Sequence, residues 1–356
     1  MMVRLYSVCN DPNGGVESFQ YEDIVKTPKF RFTKAKQQSS FTTNKNRGTS
    51  MNGINQPSFT RFIHWITERH NIYLRRLAGQ EKPWTTDKVL QQYFFTNPYR
   101  EHDKVTVWFR ENIRGPLCVD EDPATLPWAT VAFRWFNYIP TGKALLVDGH
   151  FSSWKSDAAK RLLHARERLD MQIFTGAYMI KIENGRSKID SCCDQITKLW
   201  DRRRAFCSDL NACKTLEAGW KIIYRIPFIG PFMAYEVITD LRHTPMFNKA
   251  PDIMTWCNLG PGAIRGLWRL FHNDDNPPQM KGKSPPKNAM SIMQALLAAV
   301  NEKLVEKNLN APPNSSHSDR YPLFEMRDLE HSLCEYDKYC RALFHQGTMK
   351  RKYAGT

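Results

Sequence analysis

From Phe59 onward, apolar residues recur at spacings of three and four, and no other feature restricts the fold as strongly. That spacing lines side chains along one stripe of an α-helix, and each stripe must be buried against a neighbour. Phe62, Ile63, Ile66, Ile72 and Leu74 form the first stripe, closed by Gly79. KPWTTDKVLQQYFF starts a second helix with Thr85 or Thr86 as N-cap. FTNPYREHDKVTVWFRENIRG starts a third, with Asn97 as cap, Pro98 in its first turn and Gly115-Pro116 as its stop. DEDPATLPWATVAFRWFNYI, DAAKRLLHARERLDMQ, CCDQITKLWDRRRAFC and CKTLEAGWKIIYRI continue the pattern. Met326, Leu329, Leu333, Tyr336, Cys340 and Leu343 form the last stripe. IFTGAYMIKIENGRSKIDS departs from it, alternating weakly around Asn184-Gly185, a dipeptide favoured in tight hairpins. The expectation is a mostly α protein with a small β-hairpin insertion.

Ile226 to Thr244, IPFIGPFMAYEVITDLRHT, reads as a helix-hairpin-helix turn. Pro227 lacks the amide that would continue the first helix. Gly230 can take a left-handed conformation. Pro231 suits the first position of the next helix. The unpaired first-turn amides there could hold a DNA phosphate, although a plain turn between two core helices has the same pattern. Asn258 to Leu267, NLGPGAIRGL, is a second glycine-rich entry to a helix, with Gly260, Gly262 and Gly266 around Arg265. Such a nest of amides with a cation also suits phosphate.

The net charge of +15 points to a polyanionic partner. Residues 1–58 read as a basic arm: Ile24 to Thr67 contains no acidic residue but eight basic ones, Lys34 and Lys36 among them. Such an arm could lie along phosphates or simply be solvated. Residues 59–346 read as the catalytic domain, 273–290 as a proline-rich loop within it, and 347–356 as a basic tail. The nine cysteines include no C-x-x-C pair, which argues for reduced thiols over a disulfide frame, zinc knuckle or iron–sulfur cluster. No apolar run approaches ~18 residues, and MMVRLYSVCNDPNGG lacks the core of a secretory signal, so an intracellular setting without a membrane span is expected.

Taken together, KPWTTDKVLQQYFFTNPYREHDKVT, IFTGAYMI, IPFIGPFMAYEVITDLRHT, NLGPGAIRGL and RDLEHSLCEYDKYCR resemble the α-glutamyl/putrescinyl thymine pyrophosphorylase family. That family is related to the helical domain attached to 5-hydroxymethyluracil DNA kinases. The resemblance implies a DNA-glycosylase-like helical fold and work on thymine-derived bases in DNA, as in bacteriophage hypermodification. There, 5-hydroxymethyluracil is first converted to a pyrophosphoryl ester, and an amino acid or polyamine then displaces pyrophosphate. The implied partners are double-stranded DNA with modified thymine, the amine, and a functionally linked 5-hydroxymethyluracil DNA kinase. The setting would be an infected bacterium if the chain is phage-encoded, or a nucleus if it is eukaryotic. Two alternatives stand beside this: a glycosylase excising a modified pyrimidine, and a non-catalytic DNA-binding partner of a base kinase. The chain departs from the glycosylase hairpin L-P-G-x-G at Phe228, which replaces the first glycine. A kinase P-loop is missing, since KGKSPP has Pro277 where the motif needs its first glycine.

Displacement of pyrophosphate needs a pocket for the everted base, cations for the leaving anion, and a group to take the amine's proton. Asp252, 22 residues beyond Gly230 as in glycosylases, is the first carboxylate candidate, or else a helix cap. Glu101 is the second; spacing from Val105 and Trp108 puts it on the apolar side of its helix, where it is either functional or paired with arginine. Asp240 is the third. Candidates to hold substrate are Asn97, Tyr99, Arg100, Arg242, His243, Arg265 and Lys338. Candidates to touch DNA are Gly230, Pro231, Gly260, Gly262, Lys34 and Lys36. Phe94, Phe95, Tyr99, Phe174 and Tyr178 could stack on a base or belong to the core. Glu330, Glu335, Asp337 and Arg341 flank the last stripe, with Asp337 and Arg341 placed for a solvated pair. No complete metal site is evident; Mg²⁺ could accompany pyrophosphate.

Overall fold

Burying a helical stripe on every segment requires helices stacked on helices, and the computed structural model has that architecture. It describes residues 53–177, 179–277, 285–306 and 323–347, all within the unit Gly48–Thr356. In chain order the helices are α1 (Gln56–Leu77), α2 (Lys88–Gln92), α3 (Lys104–Phe109), α4 (Gly115–Leu117), α5 (Thr125–Phe136), α6 (Ile139–Val147) and α7 (Ser156–Arg168). They continue as α8 (Lys188–Asp201), α9 (Arg203–Asn211), α10 (Leu216–Tyr224), α11 (Pro231–Leu241), α12 (Pro261–Phe271), α13 (Ala289–Glu306) and α14 (Met326–Leu343).

α5 is the hub. All twelve of its residues are buried. A helix apolar on every side must be surrounded, and α5 packs against α8, α9 and α11. Trp128 on α5 donates its indole N–H to the Ile196 carbonyl at 3.1 Å, which lets the ring sit fully inside. The second close assembly is α12 on α14. A Cβ at Gly266 would lie 2.0 Å from the Leu333 carbonyl oxygen, and one at Gly262 would lie 2.3 Å from Cys334 Sγ. These glycines, expected to form a phosphate nest, instead let two helix backbones touch. Gly260 follows suit: its amide points at Glu330 Oε1, 3.3 Å away.

Several local expectations change. Asp87, not Thr85 or Thr86, caps α2, accepting from the Val89 and Leu90 amides; Thr85 accepts from the Asp87 amide instead. The expected third helix is divided into a 3₁₀ turn, Arg100–His102, then α3, a π-turn over Arg110–Arg114, and α4. Gly115-Pro116 therefore does not stop it; Pro116 sits in the first turn of α4, where no amide is needed. CCDQITKLWDRRRAFC makes two helices, α8 and α9, that meet at Arg202. α6 and α13 were not anticipated, and α13 begins inside the expected proline-rich loop.

The β-hairpin is not formed among the described residues. Asn184-Gly185 do turn, with Gly185 at φ +77°, but no strand flanks them. Backbone groups there find helical partners: the Thr175 amide donates to the Phe136 carbonyl and the Glu183 amide to Ser191 Oγ. Tyr178, Lys34, Lys36, most of the N-terminal arm, the centre of the proline-rich loop and nearly all of the basic tail lie outside the described residues.

Candidate functional site

The segment Asn97 to Asp103 builds one wall of a cleft. Buried Asn97 holds the chain in a tight bend: its amide donates to Asp103 Oδ1 at 2.8 Å and its side-chain amide to the His102 carbonyl at 2.7 Å. The enclosed 3₁₀ turn aims Arg100 and Glu101 inward. Opposite lie the C-terminal half of α11, with Glu236, Thr239 and Asp240, and the start of α14, with Arg327 and Asp328 preceded by Glu325. Tyr99, His102, Thr106, Arg134, His243 and Leu323 complete the lining of a cavity of about 70 Å³; Glu236 does not line it but bonds Arg100 and Arg327, which do. The cavity is under half of the ~150 Å³ void that holds a benzene ring.

Charge fills this cleft in alternation. Arg134 grips Asp240 with two parallel bonds, Nε to Oδ2 at 2.6 Å and Nη2 to Oδ1 at 2.7 Å. Glu236 faces Arg327 at 2.7 Å and Arg100 at 3.2 Å. Arg114 forks onto Glu101, with Nη1 3.0 Å from Oε1. Arg242 meets Glu325 at 2.5 Å. The Nε groups of Arg100 and Arg242 are buried yet have no hydrogen-bond partner among the described residues. An unpaired buried donor costs about 1–3 kcal/mol, which an incoming oxyanion would offset.

These neighbours divide the carboxylates into two kinds. Burial works against the charge on Glu236, but Arg327, Arg100 and Arg134 prevail and hold its pKa well below the carboxylate range. Burial likewise opposes ionisation of Glu101, yet His243 and Arg114 bring it to about 2. His243, at 3.7 Å from Glu101, is itself lowered to about 4 by desolvation. At neutral pH the pair is thus a carboxylate and a neutral imidazole. Asp328 goes the other way: burial and the adjacent Glu325 raise it to about 7. Burial and repulsion from Glu101 also raise Glu325, against the pull of Arg242. Asp328 accepts from the Arg100 amide at 3.1 Å and the Glu325 amide at 3.2 Å, one bond per oxygen. Each oxygen keeps a second acceptor site. A half-buried acid poised near neutrality beside cations is fitted to move protons.

The sequence profile of the 5-hmdU DNA kinase helical domain matches residues 56–349, which include every wall of the cleft. The chain belongs to that family. Among curated proteins, this helical-domain chain is similar to the 5-hmdU DNA kinase of Bacillus phage SP10, 28% identical over 239 residues. That alignment covers 59% of the chain but only 36% of the phage kinase. No solved structure matches it.

Within this helical-domain chain the cleft gathers Tyr99, Arg100, Glu101, Asp240 and His243, with Asn97 behind them and Arg242 reaching in through Glu325. The other candidates sit elsewhere. Asp252 is committed to α10: its two oxygens accept from the Leu216 and Glu217 amides at 2.8 and 3.0 Å. It is a cap, of a helix other than its own. Arg265 binds Asp337 at 3.0 Å, and Asp337 also takes Arg269 at 2.8 Å and Arg341 at 3.3 Å. Asp337 is therefore the buried centre of an arginine cluster, not half of a solvated pair. Lys338 lies over the Phe95 ring and bonds the Phe94 carbonyl. Phe95 is core, Phe94 is partly exposed, and Phe174 stacks on Phe136. Of the aromatic candidates among the described residues, Tyr99 alone reaches the cleft, edge-on to Phe324. Gly230 has φ −85°, so it is not left-handed; Phe228 is, at φ +66°.

Sequence reasoning missed Arg114, Arg134, Glu236, Glu325, Arg327 and Asp328. One local signal was available: Glu325-Met-Arg-Asp328 before an apolar stripe has capping-box spacing, and the reciprocal bonds are present. Among the described residues no group of three or more His, Cys, Asp or Glu could hold a metal ion, and no helix is long and apolar enough to cross a membrane.

Proposed function

We propose that the chain is a transferase acting on modified thymine in DNA, displacing pyrophosphate from pyrophosphorylated 5-hydroxymethyluracil with an amine or amino acid. The observation that carries this reading is the pairing, in one cleft, of Arg100, whose Nε–H is unsatisfied, with Asp328, an acid raised to about 7; Arg242, with a second unsatisfied Nε–H, borders the cleft through Glu325. Arg100 and Arg242 would bind the pyrophosphoryl oxygens. The amine nitrogen bonds to the methylene carbon as the carbon–oxygen bond to pyrophosphate breaks. The proton shed by the new ammonium passes to Asp328, and pyrophosphate leaves as an anion, with any Mg²⁺ carried on it. The cleft as it stands accepts phosphoryl oxygens; the base ring would enter as the Arg242–Glu325 pair parts.

The glycosylase reading has less support, because Asp252 spends both oxygens on capping α10. Incubating the protein with duplex DNA carrying the pyrophosphorylated base and a mixture of amino acids and polyamines separates the two. Transfer gives heavier nucleosides and free pyrophosphate; excision gives abasic sites. Absence of any nucleoside adduct with every amine offered would reject the transferase.

A further inference from the structure

The turn between α10 and α11 contains an oddity that the cleft does not use. Phe228 is held at φ +66°, a conformation costly for a bulky residue and natural to glycine. Glycine there would relieve the backbone, so the ring has to be worth its strained position. It is only partly buried, and the turn around it is apolar and exposed. Tyr224 is 47% exposed and stacks on Trp220 at 5.2 Å, while Phe232 is 49% exposed on the first turn of α11. Arg225, between them in sequence, is exposed; no carboxylate lies from Lys221 to Tyr235, and the nearest one before it, Glu217, is paired with Lys221 at 2.7 Å. The turn is also firmly seated: the Trp220 indole and the Asn258 side-chain amide both donate to the Pro231 carbonyl, at 3.0 and 3.2 Å.

Flat rings with a cation and no acid fit one partner chemistry well, a nucleobase face flanked by phosphates. From Pro231 to Asp240 the axis of α11 spans roughly 14 Å, about four nucleotide steps. We infer that Phe228, with Tyr224 four residues before it, is a stacking contact for an unstacked base near the one being modified. This rests on the reading of the chain as a protein acting on DNA bases, but it requires no turnover.

The test compares the full chain with Phe228→Gly and Tyr224→Ala, using binding alone. Two duplexes of equal length and phosphate count serve as probes, one fully paired and one with a single thymine–cytosine mismatch. Wild type should prefer the mismatched duplex by about tenfold, the scale of one base–aromatic stack. Phe228→Gly should lose that preference with an unchanged salt slope, because no phosphate contact is removed. Its melting temperature should stay within about 3 °C of wild type or rise above it. Tyr224→Ala should lose part of the preference, and it decides the matter if Phe228→Gly unfolds. Wild-type discrimination by both variants would overturn the inference, as would an equal loss on both duplexes. That result leaves the transferase reading standing, whereas failure of transfer with discrimination intact rejects only the transferase. A wild type that binds neither duplex overturns both.

Discussion

Asp328 and Glu101 share a cleft and respond oppositely to pH. Glu101, depressed to about 2, contributes stability that is complete above its ordinary 4.5 and is lost as pH falls through 2. Asp328, raised from 3.8 to about 7, contributes stability that is complete below 3.8 and is lost as pH rises through 7. Asp328→Asn should therefore flatten the decline in melting temperature between pH 5 and 8. In a transfer assay, the wild-type rate should rise with pH through about 7 and then level, and Asp328→Asn should abolish that limb with a loss of about 10²-fold or more. A wild-type rate flat across this range would remove Asp328 from the chemistry. Asp240→Ala should destabilise the fold by about 3–5 kcal/mol in chemical denaturation, because it leaves the Arg134 guanidinium buried without its bidentate partner. At this scale the sequence singled out Tyr99, Arg100, Glu101, Asp240 and His243, and the structure places those five around one cleft. The sequence was not legible for Asp328, whose proton affinity comes from burial and from Glu325, neither visible in a residue's type.

Helices, in contrast, announce their ends locally, and the chief mistakes came where a cap serves another element. Asp252 reads as a cap of its own segment, yet its oxygens reach the first-turn amides of α10, 35 and 36 residues away in sequence. Asp252→Ala should lower stability by about 1–2 kcal/mol while leaving any transfer rate nearly unchanged. A rate collapse without destabilisation would restore Asp252 as a catalytic candidate. Glycines mislead in a similar way. Gly262 and Gly266 have the spacing of a phosphate nest, but α12 needs them to lie against α14. Gly266→Ala should be among the most damaging single substitutions in the chain, about 3 kcal/mol or more by denaturant unfolding, because the obstacle is the Leu333 backbone. Asn184-Gly185 do turn, but only Gly185 has positive φ, so the doubly left-handed turn of a tight hairpin is not made; among the described residues no strand flanks it, because pairing needs a partner edge and the neighbouring backbone bonds to helices instead.

Across the whole molecule, the +15 charge bears on association more than on fold. Removing residues 1–48 takes away Lys34, Lys36 and their basic neighbours but spares Asn55, which caps α1 and whose amide bonds the Leu270 carbonyl. That truncation should weaken DNA binding and reduce its salt slope by about 0.9 for each phosphate no longer neutralised. An unchanged slope would reject a phosphate-binding role for those residues. The sequence by itself determined that this chain is helical, that it is basic, and that the stretch from Asn97 to Asp103 and the end of α11 carry charged side chains. Those properties follow from period, charge and residue type, all of which are local. Only the tertiary structure decided which of those side chains meet. Arg100, Asp240 and Asp328 are separated by more than 200 residues from first to last, and their shared cleft exists because α5, α11 and α14 pack around it. Proton affinity and ion pairing depend on distance and desolvation, and packing sets both.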